Sequence, residues 1–153
     1  MATMAAQNLP DVLTDSSRKP RVIEDCCQLI EEEVADKGGL TGLAIKAGFR
    51  AVKGLRPGFV RSAVEDLLPD FARVLDPLYQ EAVGKPEAVA PYFQRNPDRV
   101  AEALLSITDA RAKRIETGLV KKTYEKLRPM AKKNVEAAAP RLGKLVEKHT
   151  STT

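Results

Sequence analysis

The sequence predicts an all-α protein: a single-domain bundle of six to seven helices with proline-kinked long helices. Two observations carry this. Apolar residues recur three and four positions apart through most of the chain, the period of an amphipathic helix. No alternating apolar–polar run flanked by turn residues marks a strand. With 153 residues, 43% hydrophobic and 30% charged, the chain has the size and balance of one folded domain. Aromatics make up only 5% and Trp is absent, so the core falls to Leu, Val, Ile and Ala.

Residues 1–17 are only weakly apolar, with no basic residue before that stretch, and are expected to form a flexible arm, leaving residues 18–148 as the bundle and 149–153 as a flexible polar tail. The first predicted helix starts near Pro20, which suits a first turn, and stops at Gly38-Gly39. Val22, Ile23, Cys26, Cys27, Ile30 and Val34 form its apolar stripe, and Glu24, Asp25, Glu31, Glu32 and Asp36 its acidic face. Thr41 is placed to cap a second helix ending near Gly54. Ile45, Phe49 and Val52 share one side of it, beside a basic stripe of Lys46, Arg50 and Lys53. That combination suits a core helix with a solvated cationic edge, and would also suit a membrane surface.

From Pro57 a longer stripe runs through Val60, Val64, Leu67, Phe71, Val74 and Leu78. Pro69 and Pro77 interrupt its hydrogen-bond ladder, and kinks or short breaks are expected there. A short helix follows over 86–95. Asn96-Pro97-Asp98 then reads as a helix start: a capping side chain, a first-turn proline and a carboxylate at the positive end of the helix. Val100, Ala103, Leu104 and Ile107 should face inward from it. Thr117-Gly118 opens another helix, with Val120, Tyr124 and Leu127 as its apolar side. A last helix is expected from about Pro129 to Lys148, with a break at Pro140.

Leu55-Arg56-Pro57 recurs as Leu127-Arg128-Pro129, and apolar positions after each copy correspond. A duplication would give an internal pseudo-twofold repeat, each unit covering the other's apolar face. Similar packing needs in two helical hairpins would leave the same trace.

Charge is distributed unevenly. Residues 1–110 hold 13 Lys/Arg against 17 Asp/Glu, a balance of −4; residues 111–148 hold 12 Lys/Arg against four Glu, a balance of +8. Lys113, Arg114, Lys121, Lys122, Lys126, Arg128, Lys132 and Lys133 are the candidate residues for binding an anion or a partner. No helix-turn-helix, zinc-finger or aromatic stacking motif accompanies them.

Chemistry-bearing patterns are scarce. His149 is the single histidine and is expected in the loose tail, where an imidazole cannot be held; a misplacement of about 1 Å can cost roughly 100-fold in rate. Cys26 and Cys27 are adjacent, and neighbours on a helix diverge by about 100°, so they are read as core packing in a reducing compartment. The sequence offers no zinc, di-iron, calcium-loop or phosphate-loop pattern. No apolar run approaches the roughly 20 residues a membrane span needs, and a secretory signal is not evident. A cytoplasmic protein without cofactor is the expectation.

Three stretches carry a family resemblance. They are Ala44 to Arg61, with its Lys-Ala-Gly-Phe and Pro-Gly-Phe-Val-Arg turns; Thr108-Asp109-Ala110-Arg111; and Pro140 through His149. Together they resemble an uncharacterised family of small bacterial helical proteins, over most of residues 18–149. The resemblance implies a bacterial cytosolic protein and transfers no activity and no site. Residues and resemblance together point to a non-enzymatic protein-interaction or structural module, bound to a protein partner or self-associating. Two alternatives stay open: an electrostatic binder of nucleic acid or an anionic surface through 111–148, and a small-ligand carrier or enzyme with an unrecognised site.

Overall fold

The computed structural model describes residues 8–55, 58–84, 89–114 and 118–150. These form seven helices and, among the described residues, no strand: α1 (Leu9–Leu13), α2 (Lys19–Asp36), α3 (Gly39–Leu55), α4 (Phe59–Val83), α5 (Val89–Arg95), α6 (Pro97–Lys113) and α7 (Gly118–Thr150). Helix α4 packs against α1, α2, α3, α5 and α6, and α7 packs against α1, α2, α5 and α6.

The expected N-terminal arm is corrected over its second half. Asn8 caps α1 by accepting from the Asp11 N–H, with Pro10 in the first turn, and Leu9, Val12 and Leu13 enter the core. The Leu9 N–H donates to Asp76 Oδ1 at 2.9 Å, so a carboxylate from α4 satisfies a free donor at the start of α1. Burying three aliphatic side chains, at about 1.5–3 kcal/mol each, offsets much of the cost of ordering so short a segment, and the Asn8 cap and the Asp76 bond add to it.

The break expected at Pro140 is corrected, and at Pro69 and Pro77, where kinks or short breaks were expected, the helix is not broken. Helix α4 continues through Pro69 and Pro77, and α7 runs 33 residues through Pro129 and Pro140. Pro69, Pro77 and Pro129 are exposed and Pro140 is half-buried. Each removes one ladder bond, and at an exposed position water can satisfy the carbonyl so freed. The Leu-Arg-Pro repeat therefore has unlike settings. Leu127 to Pro129 lies inside α7, whereas Leu55 ends α3 and residues 56–57 fall outside the described residues.

Two apolar faces are rotated from their expected positions. In α4 the buried residues are Leu68, Ala72, Leu75, Leu78, Tyr79 and Ala82. Of the expected stripe only Leu78 is among them; the rest are half-buried. Helices on both sides widen the buried arc and move its centre by about one residue. In α6 the buried residues are Val100, Ala101, Leu105 and Ile107. Asn96 sits at the cap position of α6, but its side chain does not cap; its amide donates back to Tyr92 O at 2.8 Å.

The tightest approach joins α5 to α7. Ala139, Gly143 and Val146 share one face of α7 and are buried. A Cβ built on Gly143 would lie 2.8 Å from Phe93 Cβ and 3.0 Å from Ala90 Cα, so the two backbones meet only because this residue lacks a side chain. Gly42 is confined in the same way at the α2–α3 turn, where an added Cβ would stand 2.6 Å from the Lys37 carbonyl carbon. Gly48 has nothing within 4 Å. Gly143→Ala should therefore destabilise the fold by about 1–3 kcal/mol. Gly48→Ala, in an open helix interior, should stabilise it by about 0.4–1 kcal/mol. Thermal denaturation followed by circular dichroism reads both; a Gly143→Ala midpoint equal to wild type would contradict the close crossing.

Candidate interaction site

The eight basic residues singled out above divide into two groups. Arg128 and Lys132 turn inward onto α6. Arg128 donates through Nε to Asp109 Oδ1 at 2.9 Å and through Nη2 to Asp109 Oδ2 at 2.8 Å and Glu102 Oε1 at 3.2 Å. Lys132 Nζ lies 2.7 Å from Asp98 Oδ1 and 2.8 Å from Glu102 Oε2. Tyr124, one turn before Arg128, donates to Asp109 Oδ1 at 2.5 Å and meets the Thr108 hydroxyl at 2.8 Å. Residues 124, 128 and 132 recur every four positions, so one row of α7 is fastened to acidic residues of α6. The hydrogen bond from Arg128 holds the Asp109 carboxyl below its ordinary range against the opposing effect of burial, and Tyr124 adds to the lowering. Hydrogen bonds from Lys132 and Arg128 do the same for Glu102.

Lys121, Lys122, Lys126 and Lys133 are exposed on α7, as are Lys113 and Arg114 at the end of α6. None of the six makes an ion pair among the described residues. Between the lysines of α7 stand apolar side chains without cover: Leu119 is 75% exposed, Leu127 50% and Met130 43%. Leu127 was expected on the apolar side of this helix, beside Tyr124; the inward side is instead Tyr124, Arg128, Ala131 and Lys132, all half-buried. Val120, expected with them, falls outside the described side chains. Leu119, Lys122, Lys126, Met130 and Lys133 follow one another at helical spacing and form a single mixed stripe of cation and hydrocarbon.

The acidic residues, by contrast, are largely engaged within the fold. Arg141 reaches Glu32, Glu33 and Asp36 on α2, the Glu33 contact at 2.7 Å. Arg99 holds Glu81 with two parallel bonds of 2.6 and 2.7 Å, and Tyr92 donates to the same carboxylate. Arg111 bridges to Asp66 at 2.9 Å, and Arg61 to Glu24 at 2.6 Å. The positive excess read from the sequence is thereby concentrated on the cations that have no such partner.

The largest correction concerns His149. It lies in α7, 4% exposed, and its Nε2 is 2.7 Å from Asp25 Oδ2. Lys148 Nζ approaches the same oxygen at 2.9 Å, and Arg18 donates to the His149 carbonyl at 2.8 Å. Thr150 is buried as well, its hydroxyl donating to Val146 O at 2.8 Å. The expected loose tail is thus, through Thr150, part of the core, and the argument that no imidazole is held does not stand. Leu142, Val146 and His149 lie at i, i+4 and i+7, a continuation of the helical stripe that reveals the docking in retrospect. A groove of about 300 Å³ lies beside the pair, lined by Asp25, Gln28, Leu29, Glu32, Arg141 and neighbouring residues of α7. Asp25, Glu32 and Arg141 are committed to the ion pairs just described.

Burial pushes the Cys26 thiol up to about 12, with Cys27 and Asp25 adding to it. It is therefore a packed thiol at neutral pH, against the core cluster. Among the described residues, no group of three His, Cys, Asp or Glu is placed to hold a metal ion, and no helix is long and apolar enough to cross a membrane.

Among the described residues, these features define an all-α bundle that engages most of its acidic residues internally and presents cations without an ion pair beside exposed hydrocarbon. The chain belongs to a family of unknown function, DUF6918, whose pattern matches residues 9–150. No curated protein and no solved structure matches it.

His149 and Asp25 can be tested directly. His149→Ala should lower stability by about 1–3 kcal/mol, since it removes a buried hydrogen-bond partner; substitution of a tail residue would leave urea unfolding unchanged. Hydrogen bonds from Lys148 and His149 hold the Asp25 carboxyl below its ordinary value although burial acts the other way. A depressed native value means that its stabilising contribution is full above the unfolded value and is lost as pH falls through the native one. Asp25→Asn should accordingly show a shallower loss of stability than wild type below about pH 4, in urea titrations across that range.

Proposed function

We propose that this protein is a non-enzymatic interaction module that docks a protein partner on the outer stripe of α7, with the end of α6 as its margin. The observation that carries this is the stripe itself. Leu119, Met130 and the neighbouring Leu127 are exposed among Lys122, Lys126 and Lys133, which make no ion pair among the described residues. Isolated surface leucines are ordinary, but hydrocarbon grouped with unpaired like charge suits a complementary surface. The partner chemistry that fits is an acidic amphipathic segment, with carboxylates opposite the lysines and apolar side chains against Leu119 and Met130. Arg128, Lys132 and Tyr124 position the stripe by fixing the rotation of α7 on α6.

Nucleic acid is the second reading, favoured by the same lysines; phosphate contacts alone would use Lys113, Arg114, Lys121 and Lys122 and leave the leucines idle. The two part in one experiment. A tagged chain recovered from its own cells should retain a protein partner after nuclease treatment. Lys122→Glu/Lys126→Glu/Lys133→Glu should lose it while melting as wild type does, because none of the three is buried. Arg128→Ala should instead lower the melting temperature, through loss of the α6 clasp. Capture that vanishes with nuclease would transfer the stripe to nucleic acid, and capture indifferent to the triple reversal would remove the stripe from the interface.

A further inference from the structure

Helix α3 is unlike the other long helices. Among its described side chains none is buried; the one buried position is Gly42, which has no side chain. It is held to α2 and α4 by the half-buried Ile45, Phe49 and Val52, by an ion pair from Lys53 to Glu31 at 3.0 Å, and by Lys53 over the Phe49 ring at 5.0 Å. Its opposite side consists of Leu40, Leu43, Ala44, Ala47, Ala51 and Gly54, all exposed, with Leu40 at 86% and Leu43 at 64%. These residues lie within about a third of a turn of one another at 100° per residue, so the outermost face of a 17-residue helix has no polar side chain. Lys46 and Arg50 border one flank and make no ion pair among the described residues, and α3 contains no Asp or Glu.

We propose that this face docks on an anionic lipid surface, with α3 lying in the plane of the interface. Charge decides between occupants. A second copy meeting α3 against α3 would bring Lys46 and Arg50 towards like charge. On the neighbouring α2, Glu31, Glu24 and Glu32 are committed to Lys53, Arg61 and Arg141. An anionic leaflet supplies the missing negative charge and accepts hydrocarbon beneath it. Shape agrees. Apart from two leucines near its start, the face is made of alanine and glycine, which gives a protein partner no knob to seat, whereas a bilayer needs no matching contour. Apolar insertion is shallow, so attachment is reversible and salt-sensitive. This surface is separate from the α7 stripe, and each can fail without the other.

The test uses the full chain and sedimentation with vesicles of phosphatidylcholine alone or of phosphatidylcholine with phosphatidylglycerol. Binding should be at least about tenfold stronger to the anionic vesicles, and should fall about tenfold between roughly 50 and 500 mM salt. Leu40→Asp/Leu43→Asp and Lys46→Glu/Arg50→Glu should each abolish it with melting unchanged, while the triple lysine reversal on α7 should retain it. Because the chain has no Trp, Leu43→Trp gives a single emission reporter, which should shift to the blue on anionic vesicles. Several results would overturn the proposal: equal binding to both vesicle types; binding that survives the Leu40/Leu43 change; no blue shift; a wild-type dimer in solution that the Leu40/Leu43 change dissociates; or RNA, DNA or an acidic polypeptide displacing the vesicles from a site insensitive to that change.

Discussion

The bundle depends on the second half of α7 passing close to α5 at Gly143. A helix of 33 residues is about 50 Å long at 1.5 Å per residue, more than one small core can cover along its length. Its second half is therefore the inner element. Ala139, Gly143 and Val146 face α5, Arg141 ties it to α2, and His149 with Thr150 closes the end beneath Asp25 and Arg18. The first half, beyond the reach of α5, touches the body along the row of Tyr124, Arg128 and Lys132, so its remaining circumference is surface. An added methyl group at Gly143 would act on both halves, because the crossing sets where the helix axis lies and hence which row meets α6.

Electrostatics follows from the same placement. Basic residues are concentrated late in the sequence, on α6 and α7, and acidic residues early, on α2, α4 and the start of α6. Packing the late helices against the early ones neutralises most carboxylates and only part of the cations. In these largely exposed pairs the energetic gain is small; their effect is on rotation and register, as the Arg128–Asp109–Glu102 contacts show. The net charge of +4 understates the outcome. What matters for association is that, among the described residues, Lys122, Lys126 and Lys133 of α7 and Lys46 and Arg50 of α3 make no ion pair and lie beside hydrocarbon.

Much of this was legible in the sequence. The all-helical class, the extents of α2, α3 and α6 to within a few residues, and the basic character of the later chain came from period, punctuation and count. Other features were legible and misread. Asn8, Pro10 and Asp11 repeat the start signal of Asn96-Pro97-Asp98, but five residues give too little periodicity to stand out. The stripe through Leu142 and Val146 reached His149, and its position near the end of the sequence obscured it. A third group was not legible. Which basic residues are structural is decided by their partners: Arg128 and Lys132 carry no local mark that separates them from Lys126 and Lys133. The prolines needed tertiary knowledge too, since their cost depends on whether the carbonyl they free faces solvent.

The division of cations into clasping and free sets connects the fold to its proposed roles. A residue already bonded to two carboxylates can bind an external anion only by giving up a contact that positions its own helix. Among the described residues, Lys122, Lys126 and Lys133 are under no such constraint, nor are Lys46 and Arg50. Both sets of free cations lie next to apolar side chains that the interior does not take: Leu119 and Met130 in one case, Leu40 and Leu43 in the other. The internal pairing that consumes the carboxylates thus gives the exposed hydrocarbon of α3 and α7 a cationic border, and with it a preference for anionic surroundings.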